Sequence, residues 1–180
     1  MNTRKIAGTG IFTALTIVFT LISNAIPMEP RLNLSLIPIA MAGILYGPLS
    51  GFFVGLVNGA FVMTSASWYF AIDALGTVLI CLLKTSLAGL SAGLLYLLIK
   101  KKNDLAGMIV GSIAVPIINT ALFILGSLIF FNKDNHLGDI LAIGLLFNFL
   151  FEFGSALILA PALSKVIIKL KKNNKNKLDM

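Results

Sequence analysis

Two ionisable side chains lie in the middle of long apolar stretches of this sequence. Lys84 lies within Ala74–Ile99, and Glu152 lies within Ile140–Ile168. A charged side chain at the centre of a bilayer costs roughly 2.5–3.5 kcal/mol, and it usually faces the interior of a helix bundle or a water-filled cavity. The two residues therefore indicate a polar site buried inside a small membrane protein.

A third polar residue, Asn119, is expected at the same depth. Counted from the expected outer ends of their helices, Lys84, Asn119 and Glu152 each lie twelve residues inward. At 1.5 Å per residue this is about 18 Å, near the middle of the bilayer. The shared depth predicts a site for a small polar solute, with Lys84 facing an anionic group and Asn119 forming a hydrogen bond to the solute. The alternative is an ion pair between Lys84 and Glu152 that only ties two helices together.

Four further side chains are candidates for the same site: Asn33, Asn58, Trp68 and Asn148. Asn148 lies one turn before Glu152, and it either lines the same cavity or bonds to a neighbouring helix. Asn58 lies near the expected outer end of the third helix. Trp68 is typical of an interfacial belt, and a lid over a bound solute is the alternative. The loop that ends at Asn33 either closes over the site or is a simple connector.

The composition excludes a soluble catalytic domain. The chain has 180 residues, of which 58% are hydrophobic and only 12% are charged, whereas soluble domains carry about 25% charged residues. The single cysteine, Cys81, and the single histidine, His136, predict neither a disulfide nor a metal site. No GxxxxGK[ST] or HExxH pattern is present. We therefore expect a protein that is not an enzyme, binds no cofactor and does not itself hydrolyse ATP.

The apolar segments predict an all-α integral membrane protein with six transmembrane helices. The expected segments are Ile6–Ile26, Leu34–Leu45, Pro48–Met63, Ile72–Ile99, Leu105–Phe131 and Ile140–Ile168. Four are long enough for a span of about 20 residues, whereas the second and third are short. Residues 1–170 form one transmembrane substrate-binding domain in this interpretation, and residues 171–180 form a basic cytoplasmic tail.

The distribution of basic residues predicts the orientation. With six spans, eleven lysines and arginines fall on the side that holds both termini, and only Arg31 and Lys133 fall on the other. The positive-inside rule therefore places both termini in the cytoplasm. The net charge of +7 is explained by this topology and by contact with anionic lipid. Nucleic-acid binding is not expected, because the basic residues flank spans.

Small residues recur at four-residue spacing across the first four segments. Gly10 and Ala14 form such a pair on the first span, a glycine repeat extends from Gly43 to Gly59, and the fourth segment carries a similar face around Gly89. Small residues at this spacing let helices approach closely. Most of these faces predict internal packing, while Gly10 and Ala14 are also candidates for docking a partner protein.

Several segments, in order and spacing, resemble a known family. They are LNLSLIPIAMAGILYGPLSGFFVGLVNG, CLLKTSLAGLSAGLLY, VPIINTALFILGSLIFF and FNFLFEFGSALILAPAL. Over nearly its whole length the chain resembles the substrate-binding S component of an energy-coupling factor (ECF) vitamin transporter. It is most similar to the pantothenate-type branch, which has a lysine in the fourth helix and Pro-x-x-Asn-Thr in the fifth.

The resemblance implies a subunit of an ABC importer in a bacterial-type plasma membrane. Such a subunit captures a water-soluble vitamin near its outer face and docks on a transmembrane scaffold protein with two ATPases, which supply the ATP hydrolysis. Gly10 and Ala14 match the small residues that contact the scaffold. A pantothenate-like ligand would place its carboxylate on Lys84 and its hydroxyl and amide groups on Asn119, Asn148 and Glu152.

Three alternatives stay open at this point. The first is an S component for another vitamin, such as riboflavin. The second is a self-contained small-solute or proton-coupled transporter that uses Lys84 and Glu152 as a relay, although the two halves of the chain lack the internal repeat found in many such transporters. The third is a structural membrane subunit in which the polar residues only hold helices together.

Overall fold

The described part of the chain is built from helices. The computed structural model describes residues 3–25, 33–131 and 149–157, and it contains no strand within them. The helices are α1 (Thr3–Ala25), α2 (Leu36–Tyr46), α3 (Pro48–Val62), α4 (Ser67–Ile72), α5 (Ala74–Ile99) and α6 (Asp104–Phe130). Residues 149–157 are also helical. They fall within the predicted sixth segment, whose remainder lies outside the described residues, so the six-helix count and the orientation stay predictions.

Within the described residues, four helical segments are long and apolar enough to cross a membrane. They are Lys5–Ala25, Pro48–Ser65, Ala74–Ile99 and Asp104–Phe130. The shorter α2 is strongly apolar but has only 11 residues. The predicted all-α membrane fold is therefore confirmed for this part of the chain, including the short second segment.

The start of the fourth predicted segment differs from the structure. The prediction placed Ile72 at the beginning of the span, but Ile72 ends the short α4, and the long helix begins at Ala74. The Asp73 side chain caps α5 by accepting a hydrogen bond from the Gly76 N–H at 2.7 Å. An aspartate just before an apolar run is a typical N-cap, and hydropathy alone does not detect it.

Gly47 forms the turn between α2 and α3. Its φ of 106° lies in the left-handed region that favours glycine. Pro48 follows at the first position of α3, where its missing N–H costs no hydrogen bond. Gly47 therefore does not share the packing role predicted for the other glycines of the repeat, and a Cβ built on it would meet no atom of the described residues within 4 Å.

The other glycines of α3 bring its backbone against that of α5. We call Gly51, Gly55 and Gly59, with the α5 residues they face, the glycine seam. A Cβ on Gly51 would overlap the carbonyl of Gly89, and a Cβ on Gly55 would overlap the carbonyl of Thr85. The Thr85 hydroxyl donates to the Gly55 carbonyl at 2.7 Å. The seam thus confirms that these small residues serve close internal packing.

The α1 helix presents two chemically different faces. Its inward side carries hydroxyl groups at Thr9, Thr13, Thr16, Thr20 and Ser23, each bonded to the carbonyl four residues earlier. Large apolar side chains are exposed on its outer side, at Ile6, Ile11, Leu15, Val18, Leu21 and Ile22. Such an outward apolar face suits lipid or a partner helix and not water.

Candidate solute-binding site

The predicted site residues of α5 and α6 are positioned by the antiparallel packing of these two helices. A Cβ on Gly76 would overlap the ring of Phe130, and a Cβ on Gly126 would overlap the side chain of Ile80. Lys84 lies one turn after Ile80, and Phe123 lies just under one turn before Gly126. This register places Lys84 opposite the turn of α6 that contains Phe123, as their direct contact confirms.

The Lys84 ammonium lies over an aromatic ring. Its Nζ atom is 5.0 Å from the centroid of the Phe123 ring, which is within the range of a cation–π contact. The side chain is partly buried, and no ion pair joins Lys84 to Glu152 or to another acid in the described part of the chain. Within the described residues, the Lys84 ammonium therefore contacts an aromatic ring and not a carboxylate.

Asn119 lies one turn from Phe123 on the same face of α6. It is only 5% exposed, and its side-chain oxygen has no hydrogen-bond partner within the described ranges. Leaving a buried polar atom unpaired typically costs about 1–3 kcal/mol. An open acceptor of this kind is available for a hydroxyl or amide N–H of a bound molecule.

Sequence reasoning missed one residue of this face, Ser127. It is fully buried, and its hydroxyl has no partner in the part of the chain that is described. Asn119, Phe123 and Ser127 follow one another at four-residue spacing, and we call them the α6 stripe. Ser127 lies two turns after Asn119 on the same helix face, and this spacing was the one feature of the sequence that could have indicated it. A single serine in an apolar helix is common, so it was not predicted.

Aromatic side chains pack against Phe123, the middle residue of the α6 stripe. The Tyr69 ring of α4 packs edge-on against Phe123, with centroids 6.1 Å apart, and it lies 5.5 Å from the Phe131 ring. These rings pack with Ile80 in one apolar cluster. Trp68 is the residue before Tyr69 in α4, but its side chain lies outside what the structure describes.

Asn58 and Asn33 take part in other contacts. Asn58 is fully buried, and its side-chain oxygen accepts a hydrogen bond from the Thr20 hydroxyl of α1 at 2.8 Å. The Asn33 side chain accepts a hydrogen bond from the Ser35 hydroxyl at 2.6 Å, just before α2 begins. Neither is hydrogen-bonded to Lys84 or Asn119. Thr20 is a second residue that sequence reasoning missed.

The remaining predicted site residues lie at the far end of the chain. Glu152 is only 5% exposed and lies in the helical residues 149–157. Its backbone carbonyl accepts a hydrogen bond from the Ser155 hydroxyl at 2.8 Å. Asn148 lies outside the described residues, as does His136, and no cluster of three or more metal-binding side chains occurs among the residues that are described.

Gly10 and Ala14, the predicted docking residues, are both exposed on the outer side of α1. A Cβ on Gly10 would meet no atom within 4 Å in the described ranges. Gly8, two residues earlier, is different, because a Cβ there would overlap the Tyr46 ring. Gly8 therefore packs inside the molecule, whereas Gly10 and Ala14 are accessible to a partner helix.

The fold and this site define a helical membrane protein with a buried, basic and partly unpaired polar face. The chain belongs to the family of substrate-specific components of ECF transporters, whose family profile, "ECF transporter, substrate-specific component", matches residues 4–164. This confirms the predicted resemblance to S components. It also implies a substrate and partner subunits, namely an ECF scaffold and ATPases. No curated protein and no solved structure matches the chain.

Proposed function

We propose that this protein captures a water-soluble vitamin, pantothenate in the first place, between α5 and α6. The observation that carries the proposal is the Lys84 ammonium, which lies mid-helix on the Phe123 ring without an acid partner among the described residues. Capture takes place at the outer face of a bacterial-type plasma membrane. Partner ATPases supply the energy for uptake, and the chain itself has no enzymatic role.

The chemistry of pantothenate suits the groups that are available. Its carboxylate pairs with the Lys84 ammonium, and a contact between two desolvated charges contributes more here than in water. One of its hydroxyl groups donates to the open side-chain oxygen of Asn119. This bond satisfies a buried polar atom, so binding relieves an existing cost.

The other predicted residues complete the proposed site. Glu152 and Asn148 contribute hydrogen bonds from the last helix, and Trp68 and Asn33 belong to the segments that close over the solute. Asn58 acts through α1, because its bond to Thr20 fixes α1 against α3. Riboflavin is the main competing substrate, since it is flat and uncharged and would use the rings of Tyr69 and Phe123 instead of Lys84.

Identification of the bound molecule tests the proposal directly. The protein is purified in mild detergent, and the small molecules released on denaturation are identified by mass spectrometry. Calorimetry then compares pantothenate, riboflavin and pantothenol, in which an alcohol replaces the carboxylate. We expect pantothenate to bind most tightly. Tighter binding of riboflavin, or equal binding of pantothenate and pantothenol, would contradict the proposed substrate.

A separate experiment tests the docking face on α1. Replacing Gly10 or Ala14 with leucine adds bulk to an exposed surface, so the isolated protein should keep its stability and pantothenate affinity. Uptake by proteoliposomes that also contain the scaffold and ATPases should fall about tenfold or more, because the partner helix can no longer approach closely. A parallel loss of binding would show that this face packs internally, and uptake without partners or ATP would favour a self-contained transporter.

A further inference from the structure

We infer that Phe123 is a positioning residue for Lys84, which holds the ammonium group in place without neutralising it. This inference rests on the proposed function, and it adds a residue that no pattern in the sequence indicated. The contact that carries it is the 5.0 Å separation between the Lys84 Nζ atom and the centroid of the Phe123 ring.

The two side chains meet because their helices are antiparallel. Gly76 lies against Phe130, and Gly126 lies against Ile80, so each step toward the C-terminus of α5 is matched by a step toward the N-terminus of α6. This register places Lys84 and Phe123 at nearly the same level, where their side chains meet.

The Phe123 ring is itself held by other rings. Tyr69 packs against it at 90° with centroids 6.1 Å apart, and Tyr69 also packs against Phe131. Phe131 is almost completely buried. A ring fixed in this way presents a defined face, and its negative quadrupole attracts a cation.

The presence of a ring instead of a carboxylate next to the Lys84 ammonium has a functional consequence. An acid in this position would form an ion pair with Lys84 and compete with an anionic solute. A ring stabilises the ammonium by a smaller amount, so the full charge stays available for the solute carboxylate. Phe123 thus prepares the site for a monoanionic ligand.

The contact can be measured without any ligand. In protein labelled with ¹³C-lysine, the protons on Cε of Lys84 lie near the ring and should be shifted upfield, and Lys84→Arg identifies their signal. Phe123→Leu should abolish the shift, while Phe123→Tyr should keep it. Unshifted Lys84 signals in the unmodified protein, or a shift that survives Phe123→Leu, would overturn the inference.

Ligand affinity supplies the second part of the test. Phe123→Leu should weaken pantothenate binding about tenfold and leave pantothenol binding nearly unchanged. Phenylalanine analogues with one, two and three fluorines at position 123 keep the ring shape but reduce its quadrupole, so pantothenate affinity should fall stepwise. Equal pantothenate affinity across the fluorinated series would show that Phe123 only packs against its neighbours.

The two proposals fail in different ways. If the upfield shift is present and pantothenate does not bind the unmodified protein, the proposed substrate is wrong and the ring–ammonium contact stands. If pantothenate binds through Lys84 but the shift is absent, the substrate stands and the role of Phe123 is wrong.

Discussion

The two sides of α5 differ in how their polar atoms are paired. Toward α3, the glycine seam brings backbone against backbone, and the Thr85 hydroxyl there is fully paired. Toward α6, the same helix presents Lys84 to a ring, opposite a stripe on which Asn119 and Ser127 keep polar atoms without partners in the described structure. Of the Thr85, Asn119 and Ser127 side chains, only that of Thr85 has every polar atom paired within the described residues.

Both sides of α5 hold the helix bundle together, because a Cβ on Gly111 of α6 would overlap the Ala92 carbonyl just as a Cβ on Gly51 of α3 would overlap that of Gly89. The difference in pairing supports the proposal that the α6 side also binds the solute. Buried polar atoms without partners are uncommon in native proteins, and each calls for an explanation. Within the described residues, the Thr85 hydroxyl of the seam is paired, whereas the side-chain oxygen of Asn119, the hydroxyl of Ser127 and the side-chain nitrogen of Asn58 on α3 are not. Under the proposed function, a bound solute pairs the open oxygen of Asn119.

The largest effect is expected at the glycine seam. In Gly51→Val, the new Cβ would overlap the Gly89 carbonyl, so α3 and α5 must move apart at a cost of about 3 kcal/mol. Gly10→Val, on the exposed face of α1, is the matched control and should leave the thermal midpoint nearly unchanged. Thermal unfolding in detergent measures both, and equal midpoints would show that the seam is looser than described.

A smaller and opposite effect is expected on the α6 stripe. Asn119→Leu removes a buried oxygen that has no partner within the described ranges, so stability should stay the same or rise. Pantothenate affinity should fall about tenfold, or about 1.4 kcal/mol. Ile118→Val on the same helix is the control, because its lost methylene should lower stability by about 1 kcal/mol and spare affinity. A loss of stability in Asn119→Leu without a loss of affinity would assign Asn119 to packing.

The sequence predicted much of the helix pattern, and it singled out Lys84 and Asn119, which stay predicted site residues. Hydropathy located α1, α2, α3, α5 and α6 closely, because a membrane span needs a long apolar run. It missed α4, since six residues at a span boundary carry no such signal. Lys84 and Asn119 stood out as polar residues in apolar helices, whereas Phe123 did not, because its role depends on which side chain lies across from it.

The polar contacts of α1 likewise could not be predicted from the sequence. Asn58 stays a predicted site residue, and the sequence did not indicate the hydrogen bond that its side-chain oxygen accepts from Thr20. A threonine in an apolar helix gives no indication of its partner, because its hydroxyl can always bond to the carbonyl four residues earlier. Contacts between distant segments therefore required the structure, whereas the positions of the helices did not.

The central claim is that Lys84 receives the anionic group of the substrate. Calorimetry on the unmodified protein and on Lys84→Met, each with pantothenate and with pantothenol, tests it most directly. The unmodified protein should prefer pantothenate, and Lys84→Met should lose about 100-fold in pantothenate affinity, or about 2.7 kcal/mol, with little change for pantothenol. Thermal stability should not fall, because methionine keeps the apolar stem and removes a costly charge. Unchanged preference for pantothenate in Lys84→Met would contradict the account.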